Sequence, residues 1–127
     1  MLVEQGIKDL ARGPNFAAFT TLSKSGLPLT HLMWVDCDDE HVLINTEIHR
    51  TKFKNIQNDP RVAVTIIDKD DPYNCAEVRG TVAETVGGDE ARRHIDELSE
   101  KYTGGPYGNP IQSERVILRI TPRRQRA

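Results

Sequence analysis

The stretch Val42-Leu43-Ile44-Asn45-Thr46-Glu47-Ile48-His49-Arg50-Thr51-Lys52-Phe53-Lys54-Asn55-Ile56-Gln57-Asn58-Asp59-Pro60-Arg61 governs how this chain folds. Three apolar residues open a strand and a polar turn follows. The spacing then predicts a short basic helix over about residues 50–58, broken by Asp59-Pro60. A helix start leaves backbone N–H groups without partners. With the Thr46 hydroxyl and the charges of Arg50 and Lys52 beside it, the segment suits an anion such as a phosphate. Thr46 has a second reading as the helix cap, which does not exclude phosphate binding. Arg50 and Lys52 have another as exposed charges on a surface helix.

Working outward, Leu2, Ile7, Leu10 and Ala11 fall roughly on one face of a short opening helix that Gly13-Pro14 stops. Residues 16–22 read as a strand ended by Ser23-Lys24-Ser25-Gly26. Residues 29–35 read as a strand that pairs with residues 41–46 across the acidic turn 36–40. Beyond the basic helix, residues 61–67 are apolar on alternate and intervening positions, the pattern of a strand buried on both faces. Residues 75–85 alternate cleanly, and Gly80 among them marks a bend or bulge. Asp89-Glu90 and the repeat Ala91, Ile95, Leu98, Tyr102 mark an amphipathic helix that ends before Gly104-Gly105-Pro106. The last strand covers residues 115–121, with Val116, Leu118 and Ile120 inward. Residues 122–126 trail off as a basic tail.

Six strands with one short and one longer helical insertion predict a mainly β, α+β fold: a six-stranded antiparallel barrel in one domain over residues 1–127. The connections are too short for repeated parallel crossovers. So small a barrel leaves little interior room. A ligand is then expected outside it, against a second subunit, which makes a homodimer the natural assembly.

Composition narrows the function. A formal net charge of -2 over 127 residues argues against a general nucleic-acid binder. Arg123, Arg124 and Arg126 give that class slight support, but the chain offers only three phenylalanines and three tyrosines for stacking. No apolar run approaches the roughly 20 residues of a membrane span, and the segment from Met1 to Gln5 lacks a leader pattern, so a cytoplasmic protein is expected. Cys37 and Cys75 lie in unrelated segments and read as reduced thiols. The acidic turn lacks the glycine and distal glutamate of a calcium loop. His31, His41, His49 and His94 show no ligand spacing, so no metal is expected. GxSxG, P-loop and GxGxxG motifs are absent from the sequence.

Several pieces occur in a telling order. They are Gly26-Leu27-Pro28 leading into His31-Leu32-Met33-Trp34-Val35, then Ile44-Asn45-Thr46 with Arg50-Thr51-Lys52 and Asn55-Ile56, then Asp59-Pro60-Arg61-Val62 and Glu77-Val78-Arg79-Gly80. Together, over about residues 16–121, they resemble the split-barrel flavin and deazaflavin proteins related to pyridoxamine 5′-phosphate oxidase, in particular the small F420-binding branch. The resemblance implies a cofactor ring along Thr30, His31, Leu32 and Met33. It implies a phosphate grip at Asn45, Thr46, Arg50 or Thr51, and Lys52.

The oxidases place an Arg-Lys pair where this chain has Thr51-Lys52, but Arg50 can supply the guanidinium, as in the F420-binding members. The chain also ends without the arginine- and histidine-bearing segment those oxidases use for pyridoxine phosphate, so vitamin B6 oxidation is not expected. His31 and Trp34 alternate on their strand. His31 is therefore expected to contact the cofactor and Trp34 to be mainly structural. Tyr73, Tyr102 and Tyr107 are candidates for a substrate border, with Tyr102 assigned to core packing.

The implied activity is hydride transfer between reduced F420 and a small organic acceptor, with no catalytic side chain assigned. FMN is the alternative cofactor, and a carrier that binds without turnover is the alternative role. The acidic tail of F420 calls for extra positive charge along its exit, for which Lys24, Lys54 and Arg61 are the candidates.

Overall fold

The structure, a computed structural model, describes residues 2–127; Met1, which heads the segment read for a leader, lies outside them. Helix α1 (Gln5–Arg12) buries Ile7, Leu10 and Ala11. The strands are β1 (Phe16–Leu22), β2 (Pro28–Met33), β3 (Asp36–Cys37), β4 (Val42–Glu47), β5 (Arg61–Ile67), β6 (Cys75–Val86) and β7 (Arg115–Arg126). Helix α2 (Thr51–Asn58) joins β4 to β5, and α3 (Gly88–Thr103) joins β6 to β7.

All the strands form one sheet in the order β2-β1-β5-β6-β7-β4-β3, with every neighbouring pair antiparallel. The count is seven strands, not six. The strand expected over residues 29–35 is broken after Met33. β2 pairs with β1 at one edge of the sheet, while β3 pairs with β4 at the other.

The break has a physical cause in α3. Val35 is fully buried and its N–H donates to the Tyr102 hydroxyl at 3.1 Å, while the Trp34 indole stacks on the Tyr102 ring at 5.1 Å. A backbone group spent on a helix side chain is lost to the ladder. Met33 and Asp36 remain within roughly 10 Å along the chain, so the two edges of the sheet must curl toward each other. The result is a half-barrel filled by Phe19, Ile44, Val64, Ile66, Val78, Leu118 and Ile120, each no more than 1% exposed.

Three other readings meet the structure here. The acidic turn is held locally, with the Asp38 carboxylate accepting from the N–H groups of Glu40 and His41. β5 is not buried on both faces: Val62, Val64 and Ile66 enter the core, but Ala63, Thr65 and Ile67 on the outer face are only half-covered. The supposed basic tail is the second half of β7. It is held to β6 with Arg126 opposite Glu77 and their side chains 3.6 Å apart. β6 is long enough to offer those partners, and a charged strand survives at an exposed position.

The bulge read from Gly80 is present as a register shift between Arg79 and Gly80. A Cβ there would run into the Thr121 carbonyl. Gly80→Ala is therefore expected to lower stability by about 1–3 kcal/mol, as overpacking does, measured by urea unfolding. Unchanged stability would show that the β6–β7 pair can part without cost.

Candidate cofactor cleft

β4 is unusual in burying consecutive residues. Ile44, Asn45, Thr46 and Glu47 are all covered, because one face of the strand meets the barrel core and the other meets α3 and the segment entering β7. Polar side chains on the second face must find partners. Glu47, 1% exposed, accepts from the N–H groups of Gln112 at 2.7 Å and Ser113 at 2.8 Å. Arg115 lies directly opposite Glu47 in the β4–β7 register, with its guanidinium 3.4 Å from the carboxylate. Burial pushes the Glu47 pKa up, but the two backbone donors and Arg115 outweigh it, and the carboxyl lies below its ordinary value.

Arg115 is itself buried. Its Nε donates to Asn45 Oδ1 at 2.9 Å, and its guanidinium sits over the Tyr107 ring at 5.3 Å. Desolvation lowers its pKa, and the nearby Arg50 lowers it further. Arg50 precedes α2, half exposed, 3.9 Å from Glu47. Lys52 is buried on α2. Its pKa is lowered first by desolvation and then by Arg50 and Arg115. Arg50 and Arg115 share the one buried carboxylate of Glu47, and among the described residues no acidic side chain pairs with Lys52. That local excess of positive charge favours an anion.

Asn45, Arg50 and Arg115 edge an open cleft of about 310 Å³. Asn45, Thr46, Arg50 and Arg115 form its polar side, while Phe16, Leu32, Met33, Trp34, Ile95 and Leu98 form the apolar side. Tyr107 also lines it, its ring edge-on to Trp34 at 6.2 Å. A planar apolar group joined to an anion matches such a wall.

Of the residues assigned to the cofactor, Leu32, Met33, Asn45, Thr46 and Arg50 line the cleft. Thr30, His31, Thr51 and Lys52 do not. The Thr30 hydroxyl lies 2.7 Å from that of Thr20, and His31 is exposed on β2 opposite Phe19. Thr51 is exposed in the first turn of α2. Thr46 is not the helix cap, because it is a strand residue paired with Val116 and the N-cap is Arg50.

Trp34 lines the cleft, although alternation from His31 pointed it at the core. It stands beyond the end of β2, where the period of two no longer holds. Of the tyrosines, Tyr107 borders the cleft, Tyr102 packs behind Trp34, and Tyr73 is exposed in the turn just before β6. Arg115 escaped the sequence reading. Its only local signal is a charge at the head of an apolar strand, and its partner Glu47 is visible only once β4 and β7 are in register.

A second cleft, of about 590 Å³, lies on the outer face of the sheet and is lined by Arg61, Arg79, Arg123 and Arg124. Arg79 and Arg124 stand directly opposite each other across β6 and β7. Like charges in that position repel, so an anion between them would be welcome. Arg61 is held by Asp59, whose pKa falls to about 2 through that hydrogen-bonded pair. Lys24 and Lys54 are exposed and line neither cleft.

Comparison with known proteins places this geometry. The pyridoxamine 5′-phosphate oxidase family matches residues 3–127. An F420 reductase of known structure is 31% identical, with 98% of each chain covered and a TM-score of 0.83. A conserved hypothetical protein from Mycobacterium tuberculosis is 27% identical over 98% of this chain and 83% of its own, with a TM-score of 0.75. General stress protein 26 from Bacillus anthracis, 19% identical over 95% of this chain and 89% of its own, has a TM-score of 0.69 and supports the fold alone. No curated protein matches the chain significantly. With a half-barrel of antiparallel strands and a family match across nearly its whole length, the chain belongs to the pyridoxamine 5′-phosphate oxidase family of split-barrel proteins.

Proposed function

We propose that this protein is an F420-dependent oxidoreductase that moves a hydride between reduced F420 and a small organic acceptor. The observation that carries the reading is the two-sided cleft, with Trp34, Leu32 and Phe16 on its apolar side and Arg50 and Arg115 on its polar side. Thr46, Arg50 and Arg115 hold the phosphate, with Lys52 adding charge from α2. Leu32, Met33 and Trp34 take the ring. The bound deazaflavin supplies the hydride, and the protein binds, orients and shields it.

The arginine cleft favours F420 over FMN. Phe16 of the first cleft and Thr20 of the second point from the same face of β1, four residues or roughly 13 Å apart. FMN has nothing to place there, whereas F420 carries an acidic tail. The assembly we infer is a homodimer that completes the cleft. Phe16 and Leu32, 49% and 70% exposed on the outer face at its edge, support that assembly, since apolar groups grouped this way mark contact surfaces.

The test is fluorescence titration of the purified protein with F420 and with FMN. F420 is expected to saturate and to bind more tightly than FMN. Arg124→Glu is expected to weaken F420 roughly tenfold while leaving FMN unchanged, as the loss of a charge-assisted contact to the tail requires. No saturable binding of either cofactor would sink the assignment. Reduced F420 that stays bound and unoxidised by a panel of quinones, enoates and tetrapyrroles would make the protein a carrier instead.

A further inference from the structure

Behind the polar side of the cleft a buried side-chain chain runs from Arg115 through Asn45 to His94, which does not line the cleft. His94 of α3 is 6% exposed, and its Nδ1 is 3.0 Å from Asn45 Nδ2. The same Nδ2 donates to the Ala91 carbonyl at 3.0 Å, and Asn45 Oδ1 accepts from Arg115 Nε at 2.9 Å. Donor and acceptor chemistry settles the protons. Arg115 Nε–H can only donate and the Ala91 carbonyl can only accept, so the amide orientation is fixed. Asn45 Nδ2 then donates its second hydrogen to His94, whose Nδ1 must be the lone-pair nitrogen. The proton of the neutral ring sits on Nε2, which has no hydrogen-bond partner among the described residues and lies 3.7 Å from Asp36 Oδ2.

We propose that His94 is a positioning residue for Arg115, acting through Asn45, and that protonating His94 releases Arg115 from its place in the cleft. The inference rests on the proposed binding of a phosphate-bearing cofactor at Arg115. A doubly protonated imidazole brings an N–H against the Asn45 NH₂ group. The amide must then rotate or withdraw, and either movement takes Oδ1 away from Arg115 Nε. Among the described residues the guanidinium then keeps its contacts to Glu47 and to the Tyr107 ring.

Charges of both signs face His94. Asp36 favours the imidazolium, as do Asp38 at the β3–β4 turn and Glu90 and Glu97 on α3. Arg93 on α3 and Arg115 and Arg119 on β7 oppose it, as does the Asn45 donor. The Asp36 pKa is raised by burial but brought below its ordinary value by His94, the Cys37 N–H and Lys101, so an anion stands ready beside Nε2. Acid therefore strengthens the His94–Asp36 pair at the expense of the Asn45–Arg115 bond.

Nitrogen-15 NMR of the free protein tests the coupling without any cofactor. At neutral pH the His94 signals are expected to report the Nε2–H tautomer. The Arg115 Nε–H resonance is expected to shift with the His94 titration as pH falls. An Nδ1–H tautomer, or an Arg115 resonance that ignores that titration, would overturn the proposal. Titrations with F420 and FMN supply the second readout. Binding is expected to weaken roughly tenfold as His94 protonates, the size of one lost hydrogen bond to a charged group.

His94→Asn, whose side-chain oxygen can replace Nδ1 as acceptor, is expected to restore neutral-pH binding and to flatten that pH dependence. His94→Leu is expected to bind weakly at every pH. A pH profile unchanged in His94→Asn would also overturn the proposal. If neither cofactor binds while the two resonances still titrate together, the coupling stands and the cofactor assignment fails.

Discussion

Glu47→Ala is expected to destabilise the protein by about 3–5 kcal/mol, the range found when one partner of a buried ion pair is removed. The carboxylate lies at the junction of β4, α2 and the segment entering β7. Its loss leaves the N–H groups of Gln112 and Ser113 without acceptors and Arg115 without its closest counter-charge. Chemical denaturation at neutral pH measures the effect. The pH dependence carries a second check, because the folded-state pKa of Glu47 lies below its ordinary value of 4.5. Its contribution is then fully present above that value and is lost as pH falls through the folded pKa. The gap between wild type and Glu47→Ala should therefore narrow in acid. A gap that stays constant would place the stabilising role of Glu47 outside its charge.

Arg115→Met is expected to weaken F420 and FMN by about 2–4 kcal/mol, roughly 30- to 1,000-fold, as truncation of a buried charge partner does. Methionine keeps much of the length and apolar stem, so Trp34 and Tyr107 retain packing. Calorimetric titration reads the affinity, and thermal unfolding reads the stability of the same sample. The two readouts separate the causes: Arg115→Met alone leaves the Glu47 carboxylate with its two backbone donors, so binding should suffer more than folding. Pairing it with Glu47→Gln measures the coupling between the two side chains, since residues in contact do not add. Unchanged cofactor affinity in Arg115→Met would remove this arginine from the grip and leave Arg50 and Lys52 to carry it.

The two arginines show where local reading reaches its limit. Arg50 follows a strand and precedes a basic helix within a few residues, so its candidacy for an anion site is written in the local pattern. Arg115 is seventy residues from Asn45 in sequence and becomes its neighbour only because β7 runs antiparallel to β4. Trp34 illustrates the same limit over a shorter range. Alternation holds only while the strand continues, and Tyr102 of α3 ends it. Nothing within residues 29–35 announces that interruption, which also accounts for the seventh strand.

Period, turn chemistry and composition were enough to establish a mainly β antiparallel fold with helices between β4 and β5 and between β6 and β7. They also located the bulge at Gly80 and a turn whose Thr46 and Arg50 line the cleft. These depend on interactions between near neighbours in the chain. Strand order, the division of β2 from β3, the pairing of β7 beyond Thr121 and the network joining His94, Asn45, Arg115 and Glu47 depend on register between distant segments. Register is set by which faces must be buried and which buried polar groups must be satisfied, and those conditions exist only once the sheet has curled.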